Sequence, residues 1–393
     1  VTILVLADTR FPIERANGLQ TMATCDALAR RGHDVELVVR PDAASPPRDP
    51  FAFYGLSPAP RLRIRVVAGA GRGGPRRRRM RFLLAALAAA TERRGPVVFT
   101  RDVSLAAFLL QLPSFRRPRV VFEAHGVAAV VAEDMPRLLG RPEAAASARK
   151  LARLDRQERR VWRSAAACVA LTEALAADLA DRHGPRDRVH VVGDAARRPD
   201  PPPPAPPREP FTVGYAGHLY PWKGVDVLVD ALALVPEARG LIVGGHPGEA
   251  DLDRIRRRIT HAGLDGRITI TGLMKPADVS GALAPAHVLV LPNTPTRMSE
   301  RYTSPLKLFE YLWMGRPIVA SDLPAIREVV TPDVSAIVSP AGDAHALAAA
   351  IRRVRADPAL AERLGTAARA LAPSYSWDAR AERLEAALAE AAA

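Results

Sequence analysis

Short β-branched runs alternate with longer stretches of helical periodicity along the whole chain, the pattern of an α/β protein built on parallel strands. "VTILVLAD" reads as a strand. "LQTMATCDALARRGHDVELVV" reads as a helix stopped at Gly32 and a second strand, which completes one βαβ unit. "RRRRMRFLLAALAAATERRG" predicts a helix with a basic start, and "PVVFTRD" and "PRVVFEAHG" predict strands. "LARLDRQERRVWRSAAACVALTEALAADLADRHG" supplies helix, short strand and helix, and "RVHVVGDAA" closes this half with a strand.

A spacer follows, "RPDPPPPAPPREP", whose prolines hold it extended. The alternation then restarts. "FTVGYAG", "ARGLIVGG", "RITITG", "HVLVLPN" and "RPIVASD" read as strands. "VDVLVDALALV", "DLDRIRRRITHAG" and "ADVSGALAPA" read as helices between them, with further helices to the C terminus. Two doubly wound, Rossmann-like domains are expected, over 1–197 and 211–375, joined by a linker at 198–210. Open sheets of this kind bind ligands beyond the C-terminal ends of their strands, so the site is expected in a cleft between the two domains.

The length of 393 residues suits two domains. No apolar run reaches the ~18–20 residues of a spanning helix. The apolar start lacks a basic lead-in, so a signal peptide is not expected. Cys25 and Cys168 show neither metal-ligand nor redox spacing, which fits a reducing cytoplasm.

Charge changes the picture. The net charge is +14, and residues 1–200 carry all of the excess, with 35 Lys and Arg against 21 Asp and Glu. Nine arginines fall between Arg61 and Arg81, in a stretch without a single acid. Either this half meets something anionic or the arginines reflect a GC-rich genome. A nucleic-acid partner is not expected, because no helix-turn-helix or base-stacking pattern accompanies the charge.

The chemistry concentrates after the predicted strands. In "YTSPLKLFEYLWMGRPIVASD", Ser304 can cap a helix, Pro305 suits its first position, and Leu306 and Lys307 offer free amides to an anion. Glu310, further along that helix, can reach a diol beside a phosphate, as a ribose presents it. In "GYAGHLYPWKGVDVLVDAL", Gly217 permits close backbone approach, and His218 and Lys223 can direct cations at a departing diphosphate. This is not a Walker loop, because its glycine spacing and Lys-Ser/Thr pair are absent. Gly244 and Gly272 follow strands and could meet a base or sugar edge. Asp251 and Asp253 sit at a helix start, where acids are favoured without metal. His125 ends a strand of the first half, and Asn17-Gly18 could bring amides to the floor of the site. His33, in a helix-to-strand turn, reads as structural.

Taken together, these segments resemble the retaining, nucleotide-sugar-dependent glycosyltransferases of family four, which have the GT-B fold. The resemblance covers nearly the whole chain and is strongest from Gly214 to Glu328. "SPLKLFEYLWMGRPIVASDLPAIREVV" resembles the family's Glu-x7-Glu motif and the strand after it, and "GYAGHLYPWKGVD" its donor diphosphate segment. "SYSWDARAERL" resembles the C-terminal helix that crosses back to complete the first domain, here 376–393. The resemblance implies that Glu310 holds ribose, that Ser304, Leu306, Lys307 and Lys223 meet diphosphate or sugar, and that Gly18 lies under the phosphates. It also implies that His125 sits near the transferred sugar and that backbone near Gly244 and Met274 meets the base.

Two positions depart from the family pattern. Tyr302 stands where the motif has its first glutamate, and His218 where Lys223 usually has an arginine partner. The implied co-substrate is a nucleotide sugar, with uridine the common base and guanosine the alternative, and neither cofactor nor metal is expected. The acceptor is a hydroxyl, lipid-linked or soluble. An epimerase, a phosphorylase and a non-catalytic sugar-nucleotide binder share the fold. The Arg76–Arg81 helix either docks on anionic lipid at the inner face of the membrane or packs within its domain.

Overall fold

The structure is a computed structural model and describes residues 1–71, 73–92 and 95–393. Arg72, one of the nine clustered arginines, and Arg93 and Arg94, at the end of the predicted basic helix, lie outside the described residues.

The chain forms two compact units. The first comprises Val1–Asp134, Ala144–Asp194 and Trp377–Ala393, and the second Met135–Glu143 and Ala195–Ser376.

The first unit carries seven strands: β1 (Thr2–Arg10), β2 (Asp34–Arg40), β3 (Leu62–Val66), β4 (Val97–Thr100), β5 (Arg119–Ala124), β6 (Ala167–Ala170) and β7 (Val189–Val191). They form one parallel sheet in the order β3-β2-β1-β4-β5-β6-β7. Helices cover both faces of such a sheet, so its central strands read as apolar runs. β4, "VVFT", is buried throughout. The final helix, Trp377–Ala392, belongs to this unit, and its Ala381, Leu384, Ala387 and Leu388 share a core with Met22, Leu28 and Val121.

The second unit carries β8 (Thr212–Ala216), β9 (Arg239–Val243), β10 (Ile268–Ile270), β11 (Val288–Leu291), β12 (Ile318–Ser321) and β13 (Ile337–Ser339). They are parallel, in the order β10-β9-β8-β11-β12-β13. Residues 198–210 contain no helix or strand.

Some elements differ from the sequence pattern. β3 and β13, each at one edge of its sheet, do not show in the sequence pattern. The helix expected over "ADVSGALAPA" is a 3-10 turn, Pro276–Asp278, and one short helix, Val279–Ala282.

The arginine-rich stretch serves the fold in part. Arg61 pairs with Asp34 at 2.9 Å, Arg65 with Glu36 at 2.7 Å, and Arg79 with Asp8 and Asp102. Among the described residues, no helix is long and apolar enough to cross a membrane.

Candidate functional site

In the second sheet the strand order reverses between β8 and β11, and the loops leaving those two strands flank the point where such folds bind ligands. Gly224 ties the loops together. It sits at φ +71°, a conformation that favours glycine, and a Cβ there would overlap the Pro292 carbonyl oxygen. Lys223 immediately precedes it, in the 3-10 turn Pro221–Lys223, with Nζ 3.8 Å from the centroid of the Trp222 ring. Burial around the ammonium, and Lys307 beyond it, push Lys223 down to about 7, although part of its side chain remains exposed.

Lys307 comes from the helix Leu306–Met314 that follows the β11 loop. Leu308, Phe309, Tyr311 and Leu312 bury one face of this helix, and Lys307 and Glu310 remain on its partly exposed side. Tyr311 fixes the helix against the end of β8, because its hydroxyl accepts from the Ala216 amide at 2.8 Å. Lys307 Nζ lies 2.7 Å from Glu310 Oε2. Lys223, Lys307 and Glu310 are therefore gathered at the switch point. The helix start differs from the expectation: Pro305 is the N-cap residue, not the first helical one, and no side chain caps the helix, so Ser304 does not serve as the cap. The amides of Leu306 and Lys307 still open the helix and have no intrahelical acceptor. A π-turn, Met298–Tyr302, precedes it and buries Tyr302.

His218 has an acidic neighbour. Its ring stacks on Tyr220 with centroids 4.8 Å apart, and Nδ1 is 3.5 Å from Glu249 Oε2. Tyr220 donates to Glu249 Oε1 at 3.0 Å. Gly217 and Gly244 meet backbone to backbone, since a Cβ on Gly244 would overlap the Gly217 carbonyl. The Met274 side chain packs against the core of this unit. Asp251 and Asp253 pair with Arg254 and Arg256. Among the described residues, no group of three or more His, Cys, Asp or Glu could hold a metal ion.

In the first unit, Gly18 is not in a loop but in the first turn of the helix Ala16–Arg30, and its amide donates to Arg15 at 2.9 Å. A Cβ there would collide with Ile13 and the Tyr54 hydroxyl, so close packing explains the glycine. His33 contacts Glu385 at 3.0 Å.

His125 follows β5 and joins a buried polar network. Its Nε2 donates to Glu123 Oε1, which also accepts from Gln20 Nε2 at 2.5 Å. Glu123 Oε2 accepts from Arg380 at 2.5 Å, and Arg380, fully buried on the final helix, also donates to Thr24 and the Gly193 carbonyl. Arg101 donates to Gln20 at 3.0 Å. Burial opposes ionisation of Glu123, yet Arg380 and His125 hold its carboxyl well below the usual range. Burial, with Arg101 nearby, pushes His125 down to about 4, and burial raises Asp194 to about 7.

Glu123, Arg380, Gln20, Arg101 and Glu249 were not singled out from the sequence. One signal existed for Glu123, an acid inside the apolar run of β5, where parallel strands buried on both faces carry none without a partner.

Residues 18–195 match the family described as glycosyl transferase 4-like domain, and residues 210–357 the family described as glycosyl transferases group 1. The two matches together cover most of the chain and support its resemblance to the family-four glycosyltransferases.

Among its relatives, an alpha-D-kanosaminyltransferase of Streptomyces kanamyceticus is 27% identical over 218 residues, which cover 54% of this chain and 48% of that protein. A phosphatidyl-myo-inositol mannosyltransferase of Mycobacterium leprae is 31% identical over 179 residues, covering 45% of this chain and 46% of the relative. The chain thus spans about half the length of the curated relatives it matches.

Among solved structures, sucrose-phosphate synthase of Thermosynechococcus elongatus aligns at a TM-score of 0.76 and 21% identity, covering 98% of this chain and 97% of that one. Anabaena HepE in complex with UDP-glucose aligns at 0.74 and 17%, covering 99% of each. The chain has the GT-B fold, with one Rossmann-like sheet in each unit.

Proposed function

We propose that this chain is a retaining glycosyltransferase that moves a sugar from a nucleoside-diphosphate sugar to a hydroxyl acceptor without a metal ion. The observation that carries this reading is the grouping of Lys223, Lys307 and Glu310 at the β8/β11 switch point. Two lysines whose charges disfavour each other are a receptor for an anion, and a diphosphate satisfies both. Glu310, paired with Lys307 in the free protein, turns to the ribose diol when the diphosphate takes the lysine. The opening amides of the helix, at Leu306 and Lys307, add to the anion site, with Ser304 and Gly217 beside the phosphates. Gly244 and Met274 lie on the base side. His218, stacked on Tyr220 and near Glu249, takes the place beside the diphosphate where the family has an arginine.

In the reaction, the bond between the anomeric carbon and the phosphate oxygen breaks and a bond to the acceptor oxygen forms on the same face. The acceptor's hydroxyl proton passes to the departing phosphate oxygen. Lys223 and Lys307 neutralise the nucleoside diphosphate as it leaves. The carboxylate at the lysine site, Glu310, is paired with Lys307, which favours same-face attack over double displacement. His125 of the first unit, with Gly18 on the neighbouring helix, serves the sugar and its acceptor.

UDP is the first nucleotide to test, because a neighbour of the same fold is in complex with UDP-glucose. Relatives include a 2-deoxystreptamine glucosyltransferase and a phosphatidyl-myo-inositol mannosyltransferase, so both soluble cyclitol and lipid acceptors belong in the panel. The helix Pro75–Glu92 favours contact with anionic lipid. Phe82, Ala86 and Ala89 are buried, while Met80 and Leu84 are more than half exposed beside Arg76 and Arg77.

The test is a panel of UDP-, GDP- and dTDP-sugars with these acceptors in EDTA, followed by NMR of the product's anomeric centre. Transfer with the donor's configuration preserved supports the reading. An inverted product contradicts retention, and donor binding without transfer contradicts catalysis.

A further inference from the structure

The network around His125 has one consistent set of protons. The Arg380 guanidinium stays charged, and each Glu123 oxygen accepts: Oε2 from Arg380, Oε1 from Gln20 and His125. A carboxylate held by three donors is ionised and has no proton to give. The His125 nitrogen facing it, Nε2, therefore carries the ring hydrogen. Burial keeps the ring neutral near pH 7, so Nδ1 holds a lone pair. Among the described residues nothing donates to Nδ1, and 21% of the side chain is exposed. A cavity of about 20 Å³ beside the network, lined by Gln20, Thr24, Cys25, Arg101 and Glu123, has room for a water and not for a sugar. The network supports a ligand-facing group and is not itself a binding pocket.

We infer that Glu123 and Arg380 are positioning residues for His125: Arg380, on the final helix, fixes the Glu123 carboxylate, and Glu123 fixes the His125 proton on Nε2, leaving Nδ1 to accept a hydrogen bond from a hydroxyl of the carbohydrate ligand. The ligand half of this inference rests on the proposed glycosyl transfer, and the tautomer half does not. The arrangement makes His125 an acceptor only. It orients a hydroxyl by taking its hydrogen and supplies no proton of its own at neutral pH. It also makes the final helix, far away in sequence, part of the machinery that sets the histidine.

The first test needs no substrate. Histidine-selective 15N labelling gives spectra of nine histidines, and the His125 signals are assigned by their loss in His125→Asn. The expected spectrum at pH 7 shows a protonated Nε2 and an unprotonated Nδ1, with the Nε2 proton shifted far downfield by the carboxylate. In the Glu123→Gln/Arg380→Gln double variant, that proton returns upfield. A proton on Nδ1, an imidazolium at pH 7, or a double variant with the wild-type His125 spectrum overturns the inference. Should the double variant not fold, the wild-type spectrum alone decides.

The second test uses whichever donor the panel identifies. The double variant should lose up to about a hundredfold in kcat, the scale of a misplaced positioning group, with the donor KM little changed. An unchanged kcat overturns the ligand half. If no donor turns over, the proposed function fails, while the spectra still decide the tautomer.

Discussion

Lys307 Nζ lies 2.7 Å from Glu310 Oε2, one turn further along the helix that opens at the switch point of the second sheet. Both side chains are about one quarter exposed, so the pair adds less than about 1 kcal/mol to stability. In the proposed function its importance lies in binding. Glu310→Ala should leave the melting temperature nearly unchanged. It should weaken nucleotide binding by about 2–3 kcal/mol, the worth of hydrogen bonds to a charged group. Calorimetric titration with UDP, beside a thermal melt, checks both halves. A variant that binds as tightly as the wild type removes Glu310 from the ribose site.

If Lys223 meets the diphosphate as proposed, it links binding to pH. In the free protein, burial and Lys307 bring its ammonium down to about 7 from the ordinary value of 10.5. A bound diphosphate raises it again, so binding takes up a proton above pH 7 and none well below it. The dissociation constant of a UDP-sugar should rise by up to about tenfold per pH unit from pH 7 to 9 and level off on the acid side. Lys223→Met should flatten that slope and weaken binding about ten- to a hundredfold at pH 7. A slope that survives in Lys223→Met assigns the linkage to another group.

Gly224→Ala should be costly for folding. The residue is left-handed at φ +71°, and a methyl group would enter the space of the Pro292 carbonyl oxygen. The conformation alone costs about 1–2 kcal/mol, and the backbone overlap adds to it. Urea denaturation should show a loss of more than about 2 kcal/mol. A loss below that would mean the β8 and β11 loops separate easily.

Arg380 and Glu123 are each about 1% exposed. Breaking a buried pair strands a charge and costs about 3–5 kcal/mol, whereas replacing both partners with apolar groups costs less. Arg380→Ala should therefore destabilise the protein more than Arg380→Met combined with Glu123→Leu. The opposite order in a denaturation series would show that the pair is not the main partner of either charge.

The βαβ alternation was legible in the sequence because central parallel strands are buried on both faces and read as runs such as "VLVL" of β11. Two of the edge strands, β3 and β13, were harder. β3, "LRIRV", is hidden among arginines that pair with Asp34 and Glu36 on its neighbour, and β13 has only three residues. Lys223, Lys307 and Glu310 stood out in the sequence because they follow strand ends and a proline-opened helix, and the structure groups them. The π-turn at Met298–Tyr302 has no compositional mark, and the helix after it starts at Leu306, one residue past the proline. The partners of His125 escaped because Glu123 and Arg380 are 257 residues apart, and side-chain pairing at that distance has no periodicity to reveal it.

The helix Pro75–Glu92 gives a prediction at the surface. Met80→Asp with Leu84→Asp should abolish pelleting with anionic vesicles and spare the fold, because both side chains point outward at 58% and 59% exposure. Equal pelleting of variant and wild type would assign any lipid binding to another surface.

The most direct test of the central claim is calorimetric titration of UDP and UDP-sugars in EDTA, comparing the wild type with Lys223→Met. The account predicts metal-free binding by the wild type that the substitution weakens at least tenfold. Binding that requires a divalent ion, or that is indifferent to Lys223, would contradict it.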